Sequence, residues 1–254
     1  MAFNESMPDP NPARIHNYLL GGRDHYERDR LVAKEMLKVM PSAAAAAIAS
    51  RNFLLRAIDH LAQAGVRQFL DVGCGLPTDE PVHRVARGIA PRARVVYVDN
   101  DPTVAAWTRA LPAYRSGLST VEADMHDVDL VLAAAADTLD LQRPVAVLFG
   151  EVLHHTEAAG AIVGELAERL SAGSHVVISH AEAGDPEMEA AARVYRRMVG
   201  PVVLRGAEDL STMLKGMNIV GPGVVPTVNW WPKRTPPPFR SPLPVLAAVA
   251  AVPA

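Results

Sequence analysis

Along the first quarter of the chain, apolar residues recur every three or four positions, the period of a helix with one buried face. Ala13–Leu20 is a short stretch of this kind, stopped by Gly21-Gly22. Asp24, with Glu27 three residues on, predicts a capped helix running to about Met40. Pro41-Ser42 restarts a third helix, Ala43 to Ala64, which Gly65 ends.

From Arg67 onward the pattern changes to short apolar runs. Gln68–Val72, Ala93–Val98, Thr120–Glu122, Val145–Phe149 and His175–Ser179 read as strands. Helix-length segments separate them, about Thr78–Ala90, Thr103–Ala110, Val128–Ala136 and Thr156–Leu170. Strands alternating with helices imply a parallel sheet with right-handed crossovers. Their unbroken apolar character suits strands buried on both faces.

The end of the chain breaks this rhythm. Pro186–Met198 and Ala207–Lys215 read as helices, and Asn218–Val225 and Val245–Val252 as two strands with no helix between them. Two such strands predict a hairpin at the sheet edge. The expected fold is therefore α/β, a doubly wound, mostly parallel seven-stranded sheet with an antiparallel last strand, plus an N-terminal helical cap. The expected divisions are a disordered, proline-rich leader over 1–12, the cap over 13–65, and a Rossmann-like domain over 66–254.

Composition narrows the class. A chain of 254 residues suits one α/β domain with a small addition. The net charge of -3 and scattered arginines exclude the basic footprint of a nucleic-acid binder. No apolar stretch approaches the roughly 20 residues that span a bilayer, and no secretory signal is visible, so no membrane partner is expected. A single cysteine, Cys74, forms no internal disulfide, and a cytoplasmic protein is the simplest reading. The oligomeric state is left open.

Four strand ends carry the chemistry. After the first strand comes Asp71-Val-Gly73-Cys-Gly75-Leu-Pro77-Thr78. Its glycines allow a ligand to approach the backbone at the carboxyl edge of the sheet, where open α/β folds bind ligands. A dinucleotide fingerprint requires glycine where Thr78 stands. Asp71 would repel a pyrophosphate but can orient the ammonium end of S-adenosylmethionine. After the second strand, Asp99, 28 residues beyond Asp71, can bind both ribose hydroxyls, with Asn100 beside it. Asp101-Pro102 reads as cap and first turn of the next helix. After the third strand, Asp124 can accept the adenine amino hydrogen and Met125 can cover the ring. After the fourth come Gly150, Glu151 and the pair His154-His155, either of which can accept a proton from a substrate hydroxyl, or of which one caps a helix and the other lines the cleft. Two adjacent histidines with no third ligand at suitable spacing make no metal site.

Other conspicuous residues read either way. His16, Tyr18, His25 and Tyr26 suit a pocket roof or ordinary helix packing. Trp230-Trp231 suits a stacking platform or, better, a staple for the last loop. Cys74 suits a small residue in a tight turn.

The opening Pro12-Ala-Arg14-Ile-His-Asn-Tyr18-Leu-Leu-Gly21-Gly22-Arg-Asp24 resembles that of a methyltransferase family common in actinomycetes, long catalogued as a domain of unknown function. Leu70–Thr78, Tyr97–Pro102, Leu153-His154 and Ile178–Ala181 are similar to its later signatures. The resemblance implies S-adenosylmethionine as cofactor, with S-adenosylhomocysteine as product. It also implies N-terminal helices closed over the cofactor, which brings Tyr18 and Gly22 near it. The expected cofactor residues are thus Tyr18, Gly22, Asp71, Gly73, Gly75, Thr78, Asp99, Asn100, Asp124, Met125, Gly150 and Glu151. The expected activity is in-line methyl transfer to a small-molecule acceptor, and the resemblance favours His154 over His155 as the candidate general base. A non-catalytic S-adenosylmethionine-binding module and an NAD-dependent oxidoreductase are the alternatives.

Overall fold

The computed structural model describes residues 8–111, 117–231 and 243–253. The expected disordered leader lies partly outside these residues. Its described part is anchored, because Asn11 caps the first helix and its backbone N–H donates to Asp29 Oδ1 at 2.9 Å.

Three helices open the chain: α1 (Pro12–Leu19), α2 (Glu27–Val39) and α3 (Ala43–Gln63). An alternating series follows: β1 (Gln68–Val72), α4 (Val82–Ile89), β2 (Arg94–Asp99), α5 (Pro102–Arg109), β3 (Leu118–Glu122), α6 (Val128–Ala135) and β4 (Ala146–Gly150). A 3-10 turn, Leu153–His155, leads into α7 (Ala159–Arg169) and β5 (His175–Ala181). The chain closes with α8 (Pro186–Met198), α9 (Ala207–Met213), β6 (Asn218–Ile219), β7 (Val225–Pro226) and β8 (Val245–Ala251).

Several helix starts share one signature. Asn11-Pro12, Asp101-Pro102 and Asp185-Pro186 each place an acceptor side chain at the cap and proline at the first helical position. Asp24 does not cap α2, as the sequence suggested. The helix begins three residues later, where the Asp29 carboxylate accepts the Tyr26 N–H at 2.7 Å. The Asp24 N–H instead donates to Asn17 Oδ1. Helix α4 likewise starts at Val82 rather than Thr78, after a loop containing Pro77 and Pro81.

The sheet runs β3-β2-β1-β4-β5-β8-β6, with β7 also paired to β8. The first five strands are parallel and β8 is antiparallel to β5. The expected seventh strand is thus correct in direction but not in place: β8 lies inside the sheet, with β5 on one side and β6 and β7 on the other. The run Asn218–Val225 is not one strand. It is broken around Gly221-Pro222-Gly223, where both glycines take positive φ.

Each face of the sheet has its own core. Residues of α6 and α7, such as Leu132, Val163 and Leu166, cover one. The other is covered by Phe53, Leu54, Ile58 and Leu61 of α3 with Val82 and Ala86 of α4. Helix α3 is therefore a layer of the sheet domain, whereas α1 and α2 pack with α8 above its carboxyl edge. Trp230 is fully buried against Phe53, ring centroids 5.2 Å apart, and so acts as the staple. Among the described residues, no helix is long and apolar enough to cross a membrane.

Candidate active site

The strand order reverses between β1 and β4, and ligands of open α/β sheets bind above such a switch point. A cavity of about 470 Å³ lies there. Asp71, Gly73, Gly75, Thr78, Asp99, Asn100, Asp124, Met125, Gly150, Glu151 and His154 all line it. Four loops separated by up to 80 residues converge because the parallel register sets their strand ends level: Asp71 opposite Tyr97 and Leu148, Asp99 opposite Glu122.

In the first turn, Gly73 is a position where only backbone fits. Gly73 has φ 66°, and a Cβ on it would lie 2.2 Å from Val152 Cγ2. Gly75 has φ 62°, and its N–H donates to Asp99 Oδ2 at 2.9 Å. Asp99 Oδ1 accepts the Asp101 N–H at 3.1 Å. The carboxylate is thereby clamped between two loops, its pKa raised by burial against the pull of those N–H groups.

Asp71 is 4% exposed. Burial pushes its pKa up to about 7, Arg51 opposes the rise and Asp99 adds to it. A buried carboxylate so poorly compensated fits a cationic ligand group. Asp124 is the contrast: the His126 backbone N–H, at 2.9 Å, leads the groups that hold it below the usual carboxylate range. The His126 ring bridges Asp124 Oδ1 and Thr156 Oγ1.

The histidine turn is pinned from behind. Arg205 donates to the carbonyls of Leu153 at 3.0 Å and Thr156 at 2.7 Å, and to His180 Nε2 at 3.0 Å. His180 Nδ1 donates to the Ala181 carbonyl, so His180 is a neutral strut that does not line the cavity. The rings of His154 and His155 stand 4.2 Å apart. Burial, then the neighbouring histidines, holds His154 well below its ordinary pKa. Burial and His180 bring His155 down to about 4. His154 Nδ1 is buried without a hydrogen-bond partner.

The structure does not bring Tyr18 and Gly22 to the cavity wall. Tyr18 meets the His25 ring edge-on at 5.0 Å and packs into the α1–α2–α8 cluster. Gly22 lies against Asn17, where a Cβ would stand 2.4 Å from Nδ2. Their role is to shape the turn between α1 and α2. From the same segment, Asn11 and His16 do reach the cavity, and Asn11 Nδ2 donates to Asp101 Oδ2 at 2.5 Å.

Arg51 and Tyr195 are lining residues that the sequence reading passed over. Arg51 has a legible signal. It stands between Ala47 and Leu54 on the buried face of α3, and a cation in that register calls for a partner. It donates to Thr78 Oγ1 at 3.0 Å. Tyr195 has no such signal, since α8 reaches the site only by tertiary packing.

Fold and site together define an S-adenosylmethionine-dependent methyltransferase. The chain belongs to the S-adenosyl methyltransferase family, whose sequence model matches residues 5–253. It is similar to two crystal structures over nearly their whole length. One is a presumed methyltransferase of Thermobifida fusca YX, at 33% identity and TM-score 0.91, covering 97% of this chain and 96% of that one. The other is a DUF574 family protein of Streptomyces avermitilis, at 36% identity and TM-score 0.90, covering 96% and 98%. The 1,6-didemethyltoxoflavin N1-methyltransferase of Burkholderia thailandensis shares the fold alone, at 16% identity and TM-score 0.51, covering 100% of this chain and 99% of that one. No curated protein matches. S-adenosylmethionine is accordingly the cofactor of this enzyme.

Proposed function

We propose that the enzyme methylates a small molecule by direct in-line displacement inside the cavity. The observation that carries this reading is the roofed cavity itself. Helix α1 is tied across its mouth by the Asn11–Asp101 hydrogen bond, and α2 and α8 complete the cover. A roof of this kind suits a compact acceptor. The acidic strand ends below it disfavour a nucleic acid backbone.

When bound, S-adenosylmethionine supplies a methyl group on a sulfonium that is already a good leaving group. The chain's own residues do the rest. Asp99 would hold the ribose hydroxyls, with Asn100 beside it, and Asp124 and Met125 the adenine. Asp71 would orient the ammonium, and Gly73, Gly75, Thr78 and Gly150 would form the close backbone cradle. Alignment and exclusion of water supply the main rate gain, on the order of 7–11 kcal/mol. His154, neutral and with Nδ1 unpartnered, would accept a hydrogen bond from the acceptor. Its low pKa suits it better to that than to holding a full proton.

The test is calorimetric titration with S-adenosylmethionine, with NAD as the control. Micromolar binding of the first and none of the second is the expected result. Binding of NAD in preference would move the chain to redox chemistry.

A further inference from the structure

The cavity has two ends of different chemistry. Over β1, β2 and β3 it is lined by carboxylates and glycines, the end assigned above to the cofactor. Past β4 the walls become apolar: Leu19 and Leu20 at the end of α1, Met36 and Met40 around the end of α2, Met188 and Ala192 on α8. Methionines give such a wall an adaptable surface.

Glu151 stands where the two ends meet. It is the one non-glycine residue with positive φ among the described residues, at 56°, a conformation that costs free energy and that clusters at functional sites. Its N–H donates to the Ser179 carbonyl at 3.1 Å, which fixes this backbone at the end of β4. Its side chain lines the cavity with His16 Nδ1, on the roof helix, 3.7 Å from Oε2. Burial pushes Glu151 up to about 7 and, with Arg51 and His155 adding, brings His16 down to about 4. Its surroundings thus disfavour the charged form of His16 as a counter-cation. Arg51, the cation among the described lining residues, is turned to Thr78 and the Glu80 carbonyl. In the same walls, His154 Nδ1 and the Tyr195 hydroxyl are buried without partners. Buried polar atoms left in this state call for an explanation, and a bound ligand is one.

We infer that this second end takes an acceptor with an apolar body and a hydrogen-bond-donating nitrogen or oxygen head, and that the Glu151 carboxylate, opposite His16, selects that head. The inference rests on the methyltransferase reading and names the substrate class for it. It also moves Glu151 from the cofactor residues to the acceptor. Among the described lining residues no free cation stands beside the carboxylate, so an anionic head would meet a mismatch of like charges. An amine or hydroxyl head would find Glu151, with His154 Nδ1 and the Tyr195 hydroxyl close by in the same walls.

The experiment compares two probes of equal chain length, n-octylamine and octanoate. Each is titrated calorimetrically into the full-length protein with and without S-adenosylhomocysteine, above the Glu151 value of about 7. The wild-type protein is expected to bind the amine at least about tenfold more tightly than the carboxylate. Glu151→Gln, which keeps size and removes charge, is expected to erase most of that preference. Equal or tighter binding of octanoate by the wild type overturns the inference without reference to any variant. So does an amine preference that survives Glu151→Gln, above all if S-adenosylhomocysteine affinity falls instead, which would return Glu151 to the cofactor. Failure of S-adenosylhomocysteine to bind would sink the methyltransferase reading separately, and the change in amine preference from wild type to Glu151→Gln would still decide this one, because Asp71, which also suits an ammonium, is the same in both.

Discussion

The floor and the roof of the cavity are built on different principles. The floor consists of strand ends in a parallel sheet whose register sets the level of every loop. Its functional atoms are backbone N–H groups and carboxylates clamped by them, as with Asp99 between Gly75 and Asp101. The roof consists of α1 and α2, packed on α8 and against the start of α3 through apolar side chains such as Leu19, Met36 and Met40, with Asn11 hydrogen-bonded to Asp101 below. A rigid floor suits a cofactor common to many acceptors, and an adaptable roof suits the part of the site that differs from one acceptor to the next. Local opening should then follow these two units, since proteins open in contiguous cooperative parts.

The sharpest way to break the comparison is Asp99→Ala. It removes the ribose acceptor and the clamp on Gly75 together, and we expect S-adenosylhomocysteine affinity to fall about 100-fold or more by calorimetry. His154→Ala, on the turn after β4 at the acceptor end, should leave that affinity within about twofold. A comparable loss in both variants would mean that the two ends are not separable.

The second effect is that of pH on cofactor binding. Asp71 has a folded pKa of about 7, raised from 3.8 chiefly by burial. In the ligand-free protein it is protonated below that value, and a carboxyl orients an ammonium less well than a carboxylate does. Affinity should therefore rise with pH up to about 7 and level off above it, changing by up to about tenfold per unit on the acid side. For the ligand-free protein the sign is opposite. Folding favours the protonated carboxyl, so Asp71 contributes stability at low pH that is lost as pH rises from its unfolded value to about 7. Calorimetry in two buffers of different ionisation enthalpy would detect the proton released on binding. No release near neutrality would remove Asp71 as the ammonium partner.

The smallest effect concerns the latch. Asn11→Ala removes the α1 cap and the bond to Asp101, at a cost of about 1–2 kcal/mol. The melting temperature should fall by about 2–8 °C. Faster amide exchange confined to α1 and α2 would confirm a separately opening roof, whereas uniform acceleration would show a single cooperative unit.

The floor was legible in the sequence because each piece of it is local. A strand end, a glycine turn and an acid at fixed spacing suffice to locate Asp71, Gly73, Gly75 and Asp99, and the alternation of strands and helices implies that their loops meet. The N-terminal opening carried its own signal, but that signal pointed to Tyr18 and Gly22, which shape the α1–α2 turn, while Asn11 and His16 from the same segment line the cavity. Helix periodicity does not say which turn of a short helix faces down.

By itself, the sequence determined the α/β class, the parallel strands and the acidic cofactor end, since these follow from periodicity, caps and loop chemistry within a few tens of residues. Only the tertiary structure decided that β8 enters the sheet between β5 and β6, that α3 is a sheet layer rather than part of the roof, and that Glu151 faces His16 beside an apolar chamber. Those outcomes depend on contacts between segments far apart in the chain, where burial of shared apolar surface, and not any local preference, selects the arrangement.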